Sequence, residues 1–255
     1  MKKQYKALML DLDGTTIPNK TSGVPSEAVV EAIAKASDTI AIGIISGRTY
    51  RWALPIMEKL SLTAPSVVSG GAQIIDPITH KILVERSIGE SERQSIQQVL
   101  QDRKVPYLIP LDDPQKSRLL KADFYDLASI TDLVSIGIPN LTEEDVAMLM
   151  PELESIPHIS INKLVGWDTG MLWLQINELK ATKEYSVSEV ANMLDISTDS
   201  IIGVGDGFND IPLLHACGLK VAMGNAVPEL KAIADYVAPS VDEDGVVDII
   251  NKFVL

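Results

Sequence analysis

Short, almost unbroken apolar runs recur toward both ends of the chain: Ala7–Leu10, Ile40–Ile45, Ser66–Val68, Ile201–Val204 and Leu219–Met223. Runs this short and this uniformly apolar fit strands covered on both faces. Between them lie stretches with apolar residues at helical spacing. Ser26–Ala36 opens on a capping serine, and Arg51–Lys59 is interrupted by Pro55. In Tyr185–Leu194, the residues Tyr185, Val187, Val190, Ala191 and Leu194 make one stripe. Strand alternating with helix predicts an α/β fold, a Rossmann-like parallel sheet with helices on both faces.

The middle of the chain has another texture. Ser91–Lys104 reads as an amphipathic helix through Ile96, Val99 and Leu100, and Val134–Ile138 as a strand. Thr142 caps a helix running to about Leu153, with Glu143, Glu144 and Asp145 in the first turn, where the helix dipole favours acids. Ile159–Val165 and Met171–Ile176 read as a strand pair turning at Gly166-Trp167-Asp168-Thr169-Gly170, a hairpin that the outer segments lack. Leu111–Asp126 carries no assignable pattern. The division predicts a core built from residues 1–84 and 178–255, interrupted by an inserted α+β module over residues 85–177.

Composition narrows the classes. With 255 residues, 46% of them hydrophobic, the chain has material for a core domain and a smaller second one. The formal charge of -13 argues against nucleic acid or an anionic membrane as partner, since both demand surface Lys and Arg. It says nothing against a small phosphorylated metabolite, because a bound cation reverses the field locally. Cys217 is the only cysteine, so no intrachain disulfide forms. Lys2, Lys3 and Lys6 precede an apolar run that stops at Asp11, short of the roughly 7–15 residues of a secretory core. No stretch reaches the roughly 18 apolar residues of a membrane span. The expectation is a cytoplasmic protein, a monomer or small homo-oligomer.

Ligands of open α/β sheets sit beyond the carboxyl ends of the strands, and reactive residue types cluster there. The first strand ends in Asp11-Leu12-Asp13-Gly14-Thr15. Two carboxylates this close are costly when both are ionised and unpaired, and a divalent cation relieves that cost; a polar Asp-Gly turn is the plainer reading. The second run ends in Ser46-Gly47-Arg48, which offers a hydroxyl and a bare backbone N–H to a phosphate oxygen, or else Ser46 as a helix cap. Lys183 stands where the chain returns to the core, ahead of the Tyr185–Leu194 helix; alone it reads as a solvated lysine. The fourth run ends in Gly205-Asp206-Gly207-Phe208-Asn209-Asp210. This loop lacks the spacing of an EF-hand, and with Asp11 it makes an oxygen-rich site suited to magnesium.

These pieces, in this order, resemble motifs I to IV of the haloacid dehalogenase superfamily. The closer similarity is to its Cof-type hydrolases, which carry a square α/β cap (type IIB) between the second and third motifs. Val221-Ala222-Met223-Gly224-Asn225-Ala226 and Asp242-Glu243-Asp244-Gly245-Val246 are similar to further stretches of that subfamily. The chain departs from it at Gly70, where Asn is usual, at Glu184, where Gly is usual, and in a short cap.

The resemblance implies a phosphatase acting on small phosphomonoesters. It implies Asp11 as nucleophile, Asp13 as general acid and base, and Mg2+ held by Asp11, the Asp13 carbonyl and Asp206. It places Leu12, Ser46, Gly47, Lys183 and Asn209 on the phosphate, with Asp210 and Arg48 behind them. Aspartate at position 13 favours esters whose poor alkoxide leaving group needs a proton. A phosphomutase shares motifs I to IV and stays open as an alternative, as does a non-catalytic phosphate sensor. Trp167 and Trp173 are expected in the cap's core, and Asp168 in its turn.

Overall fold

A computed structural model describes residues 4–19, 23–109, 118–120, 127–166 and 170–255. Five strands form a wholly parallel sheet in the order Tyr236–Val237, Leu219–Ala222, Ile201–Gly205, Ala7–Leu10 and Ala41–Ile44. Side chains alternate across a strand, so Leu8 and Leu10 join one hydrophobic cluster and Ala7 and Met9 another. The first is covered by the helices Glu27–Ala36, Tyr50–Met57 and Gly245–Phe253, through residues such as Ile33, Ile56 and Ile249. The second is covered by Lys183–Met193, Ile211–Ala216 and Pro228–Ile233, through Val187, Leu213 and Leu230. Each such buried aliphatic side chain contributes roughly 1.5–3 kcal/mol, so both layers are held firmly to the sheet. The Ser26 side chain caps its helix by accepting the Val29 N–H at 3.2 Å.

Two expectations about this part are corrected. Ser66–Val68 is not a member of the parallel sheet. It pairs antiparallel with Gln73–Ile75, which pairs in turn with Ile82–Glu85. An isolated bridge between Ile45 and Val67, with the Ile44 N–H donating to Ser66 Oγ at 3.3 Å, ties it to the edge of the parallel sheet. Gly70 and Gly71 explain the reversal: both have positive φ, +70° and +112°, where a side chain would strain the backbone. The outer segments therefore do contain a hairpin. The strand Tyr236–Val237 and the terminal helix were not read from the sequence at all.

The middle residues form a second, antiparallel sheet in the order Arg118–Leu120, Tyr107–Ile109, Ile136–Leu141, Leu172–Glu178, Ile159–Val165. Helices Glu90–Asp102 and Glu143–Glu154 cover one face and share a separate hydrophobic cluster with it, including Ile96, Leu149 and Ile138. Thr142 and Asp145 complete a reciprocal capping box on the second helix. Along Leu172–Glu178 the alternation is clean: Leu172, Leu174 and Ile176 join that cluster. Gln175 and Asn177 instead reach the parallel-sheet unit, where their side-chain amides donate to the carbonyls of Gly47 and Ser69, each at 3.0 Å. The inserted sheet thus lies over the loops that follow the parallel strands. Most of Leu111–Asp126, together with Trp167 and Asp168, lies outside the described residues.

Candidate active site

The site begins where the first strand ends. The Asp11 N–H donates to the Val204 carbonyl at 3.0 Å, so Asp11 stands beside the end of the Ile201–Gly205 strand and close to Asp206. The chain then winds tightly, with the N–H groups of Thr15, Thr16 and Ile17 all donating to the Leu12 carbonyl. Gly14 sits at φ +81°, and a Cβ there would come within 2.1 Å of Asp206 Oδ2. Glycine is therefore what lets the Asp206 carboxylate approach the first loop. Thr15 Oγ1 donates to Asp206 Oδ1 at 3.0 Å and fixes it there.

Lys183 is buried at 4% exposure, so the solvated-lysine reading is overturned. It is also the first residue of its helix rather than a residue before it, with Thr182 as cap. Its Nζ donates to Asp11 Oδ1 at 2.6 Å and to Asp210 Oδ1 at 2.5 Å. The other Asp210 oxygen accepts the N–H groups of Asp206 and Gly207, both at 2.9 Å. Asp210 therefore anchors both the lysine and the acidic loop, with both of its oxygens engaged.

Ser46 is buried, and its Oγ accepts the Arg48 N–H at 3.1 Å. It is not a helix cap: the next helix starts at Tyr50, with Thr49 in the cap position and no side-chain cap hydrogen bond. Arg48 in turn reaches Asp13, donating from Nε to Oδ2 at 2.8 Å and from Nη2 to Oδ1 at 2.6 Å.

Carboxyl oxygens of Asp11, Asp206 and Asp210 lie within 4.8 Å of one another. Burial pushes the Asp11 carboxyl up to about 7, helped by the charge of Asp210 and opposed by Lys183. Burial, with the charges of Asp11 and Asp210, also raises Asp206 well above the usual carboxylate range. Lys183 is held charged: burial works against its ammonium, but Asp11 and Asp210 outweigh it and raise its pKa. Three carboxylates against one buried ammonium leave surplus negative charge, which a divalent cation fits. Asp11 and Asp206 face the open cavity while Asp210 is fully enclosed, so the first two are the ones able to hold an ion.

That cavity, about 390 Å3, lies between the two sheets. Asp11, Asp13, Ser46, Gly47, Arg48, Asp206 and Asn209 all line it, with Lys183 and Asp210 packed behind. Leu12 is buried behind the loop it belongs to. The cavity also draws on residues that sequence reasoning missed, notably Thr49, Trp52 and Gln175. Trp173 faces the cavity rather than the cap's core. The Trp173, Gln175, Asn177 alternation was the available signal, since it opposes the apolar Leu172, Leu174, Ile176 set.

Comparison with known proteins gives a consistent picture. A profile of the haloacid dehalogenase-like hydrolases matches residues 8–115 and 126–250. Stress response protein YhaX of Bacillus subtilis is 27% identical, over 99% of this chain and 94% of its own. The B. subtilis 5-amino-6-(5-phospho-D-ribitylamino)uracil phosphatase YcsE is 24% identical, over 98% of this chain and 96% of its own. Among solved structures, BT1666 of Bacteroides thetaiotaomicron, described among phosphatases of that superfamily, superposes with a TM-score of 0.83. It is 21% identical and covers 98% of this chain and 96% of its own, a likeness of fold.

Proposed function

The chain belongs to the haloacid dehalogenase-like hydrolases, and from that premise we propose a magnesium-dependent phosphatase of small phosphomonoesters that works through an aspartyl-phosphate on Asp11. One observation carries the reading most: a buried Lys183 ammonium 2.6 Å from Asp11 Oδ1, just behind the floor of a cavity that Asp11, Asp206 and Ser46 line. An ester phosphate entering that cavity meets a carboxylate nucleophile amid donors suited to its oxygens. Relatives with phosphatase names, such as YcsE, support the same reaction class.

In this reading Asp11, the Asp13 carbonyl and Asp206 hold magnesium. When bound, the ion neutralises charge between the carboxylate and the phosphate dianion. Ser46, Lys183, Asn209 and the backbone N–H groups of Leu12 and Gly47 bind the non-bridging oxygens. An Asp11 oxygen forms a bond to phosphorus as the bond from phosphorus to the alcohol oxygen breaks. Asp13 gives its proton to the departing alkoxide. It then takes a proton from a water whose oxygen attacks phosphorus, which frees Asp11 and releases inorganic phosphate. Both Asp13 oxygens are committed to Arg48 in the structure. Asp13 must give up one of those bonds to reach the leaving group. Asp210 positions Lys183 and the acidic loop, and Arg48 positions Asp13. Residues 85–177 act as the cap that closes over the phosphate and reads the leaving group.

The test is phosphate release from a panel of phosphomonoesters, with magnesium and with EDTA. Release that needs magnesium and stops with EDTA supports the proposal. Isomerised ester without free phosphate would replace it with a mutase, and binding without either would replace it with a sensor.

A further inference from the structure

The cavity above Asp11 has two chemically different halves. Every ionisable side chain among its described lining residues belongs to the floor: Asp11, Asp13, Arg48 and Asp206. The roof is the inner face of the inserted sheet. There Leu164 and Trp173 are cross-strand partners on one face. The Trp173 indole lies against the backbone of Gly137, where a Cβ would come within 2.6 Å of its Cζ2. Glycine at 137 makes the slot that the indole fills. A second indole, Trp52 from the Tyr50–Met57 helix, lines the cavity from the core side and is 38% exposed.

A roof of this kind selects by chemistry. A second carboxylate or phosphate would lose its water there without a charged partner among the described lining residues of the roof. A flat ring loses little and gains contact with the indoles. The volume suits one ring system and a short linker to the phosphate.

We infer that the alcohol released by this enzyme is uncharged and carries an aromatic or heteroaromatic ring that packs against Trp173. The inference rests on the phosphatase reading for its chemistry, but its binding half is separable. The experiment compares 2-phenylethyl phosphate and 3-pyridylmethyl phosphate with glycerol 3-phosphate and phosphoglycolate, all in magnesium. All four leave as alkoxides, so differences report recognition. The ring-bearing esters should show at least about tenfold higher kcat/KM. Trp173→Ala should shrink that preference mainly through KM, and Trp173→Leu takes its place if the alanine variant does not fold. In parallel, 2-phenylethyl phosphonate, which has no ester to cleave, is titrated against tryptophan fluorescence of the magnesium-loaded protein. Turnover that favours glycerol 3-phosphate or phosphoglycolate overturns the inference and leaves the phosphatase reading standing. No turnover of any ester, with phosphonate binding that weakens at least about tenfold in Trp173→Ala, sinks the phosphatase reading and keeps the ring-binding site. No turnover and no binding overturns both.

Discussion

Arg48 grips Asp13 by both carboxylate oxygens, Nε to Oδ2 at 2.8 Å and Nη2 to Oδ1 at 2.6 Å, with the guanidinium nearly enclosed. A planar fork on a carboxylate fixes direction as well as distance. Ser46 holds the backbone of Arg48 in turn. One loop after the second strand thus carries the proposed phosphate ligands Ser46 and Gly47 and also aims the proposed acid and base.

The two roles of Asp13 are separable by leaving group. A p-nitrophenolate leaves without a proton, whereas the water that frees Asp11 needs a base. Asp13→Asn should therefore release one equivalent of p-nitrophenol per enzyme in a burst from p-nitrophenyl phosphate, then turn over about 10²–10⁴-fold slower than the parent. Arg48→Met should slow steady turnover of alkyl esters and shift its pH profile. A steady rate without a burst in Asp13→Asn would assign the base elsewhere.

Asp11→Asn should lose at least about 10³-fold in kcat while keeping its fold, since amide nitrogen and oxygen are poor nucleophiles toward phosphorus. Rapid-quench trapping of a phosphorylated protein should detect it in the parent and not in the variant. Full activity in the variant would remove Asp11 from the nucleophile's place.

The crowded carboxylates make metal-free stability depend on pH. The folded Asp11 carboxyl is pushed up to about 7, above its ordinary 3.8, and Asp206 is raised as well. A carboxyl raised on folding stabilises the fold at pH below its unfolded value, and that contribution is lost as pH rises through the folded one. In EDTA the melting temperature should fall between pH 5 and pH 8, and Asp11→Asn should flatten part of that fall. Magnesium should raise the melting temperature more at pH 8 than at pH 5, because it binds the ionised cluster. Differential scanning fluorimetry across pH checks both signs.

Gly14→Ala should weaken metal binding and stability together. Its Cβ would sit 2.1 Å from Asp206 Oδ2, at a backbone φ of +81° that alanine tolerates badly. We expect a stability loss greater than about 1 kcal/mol in urea, with weaker magnesium binding by calorimetry. Loss of stability with unchanged magnesium affinity would mean that Asp206 does not depend on this turn.

The sequence alone placed the acids. Asp11, Asp13, Asp206 and Asp210 follow short apolar runs that alternate with helical stretches, a pattern that fits buried parallel strands, whose ends bring such residues to one edge. Helix limits were readable to within a few residues for the same reason, since periodicity and caps such as Ser26 and Thr142 are local signals. Non-local relationships were decided by the tertiary structure. Ser66–Val68 looks like its parallel neighbours, and only the turn at Gly70 and Gly71 sends it into another sheet. Lys183 has no local mark of burial; its worth comes from Asp11, 172 positions away. Gln175 meets Gly47 across 128 positions because the inserted sheet folds down over the Ser46–Arg48 loop. Trp52 and Trp173 meet the same cavity by that same packing. A strand pattern states which face a residue takes, but only the docking of two separately cored units decides what that face looks at.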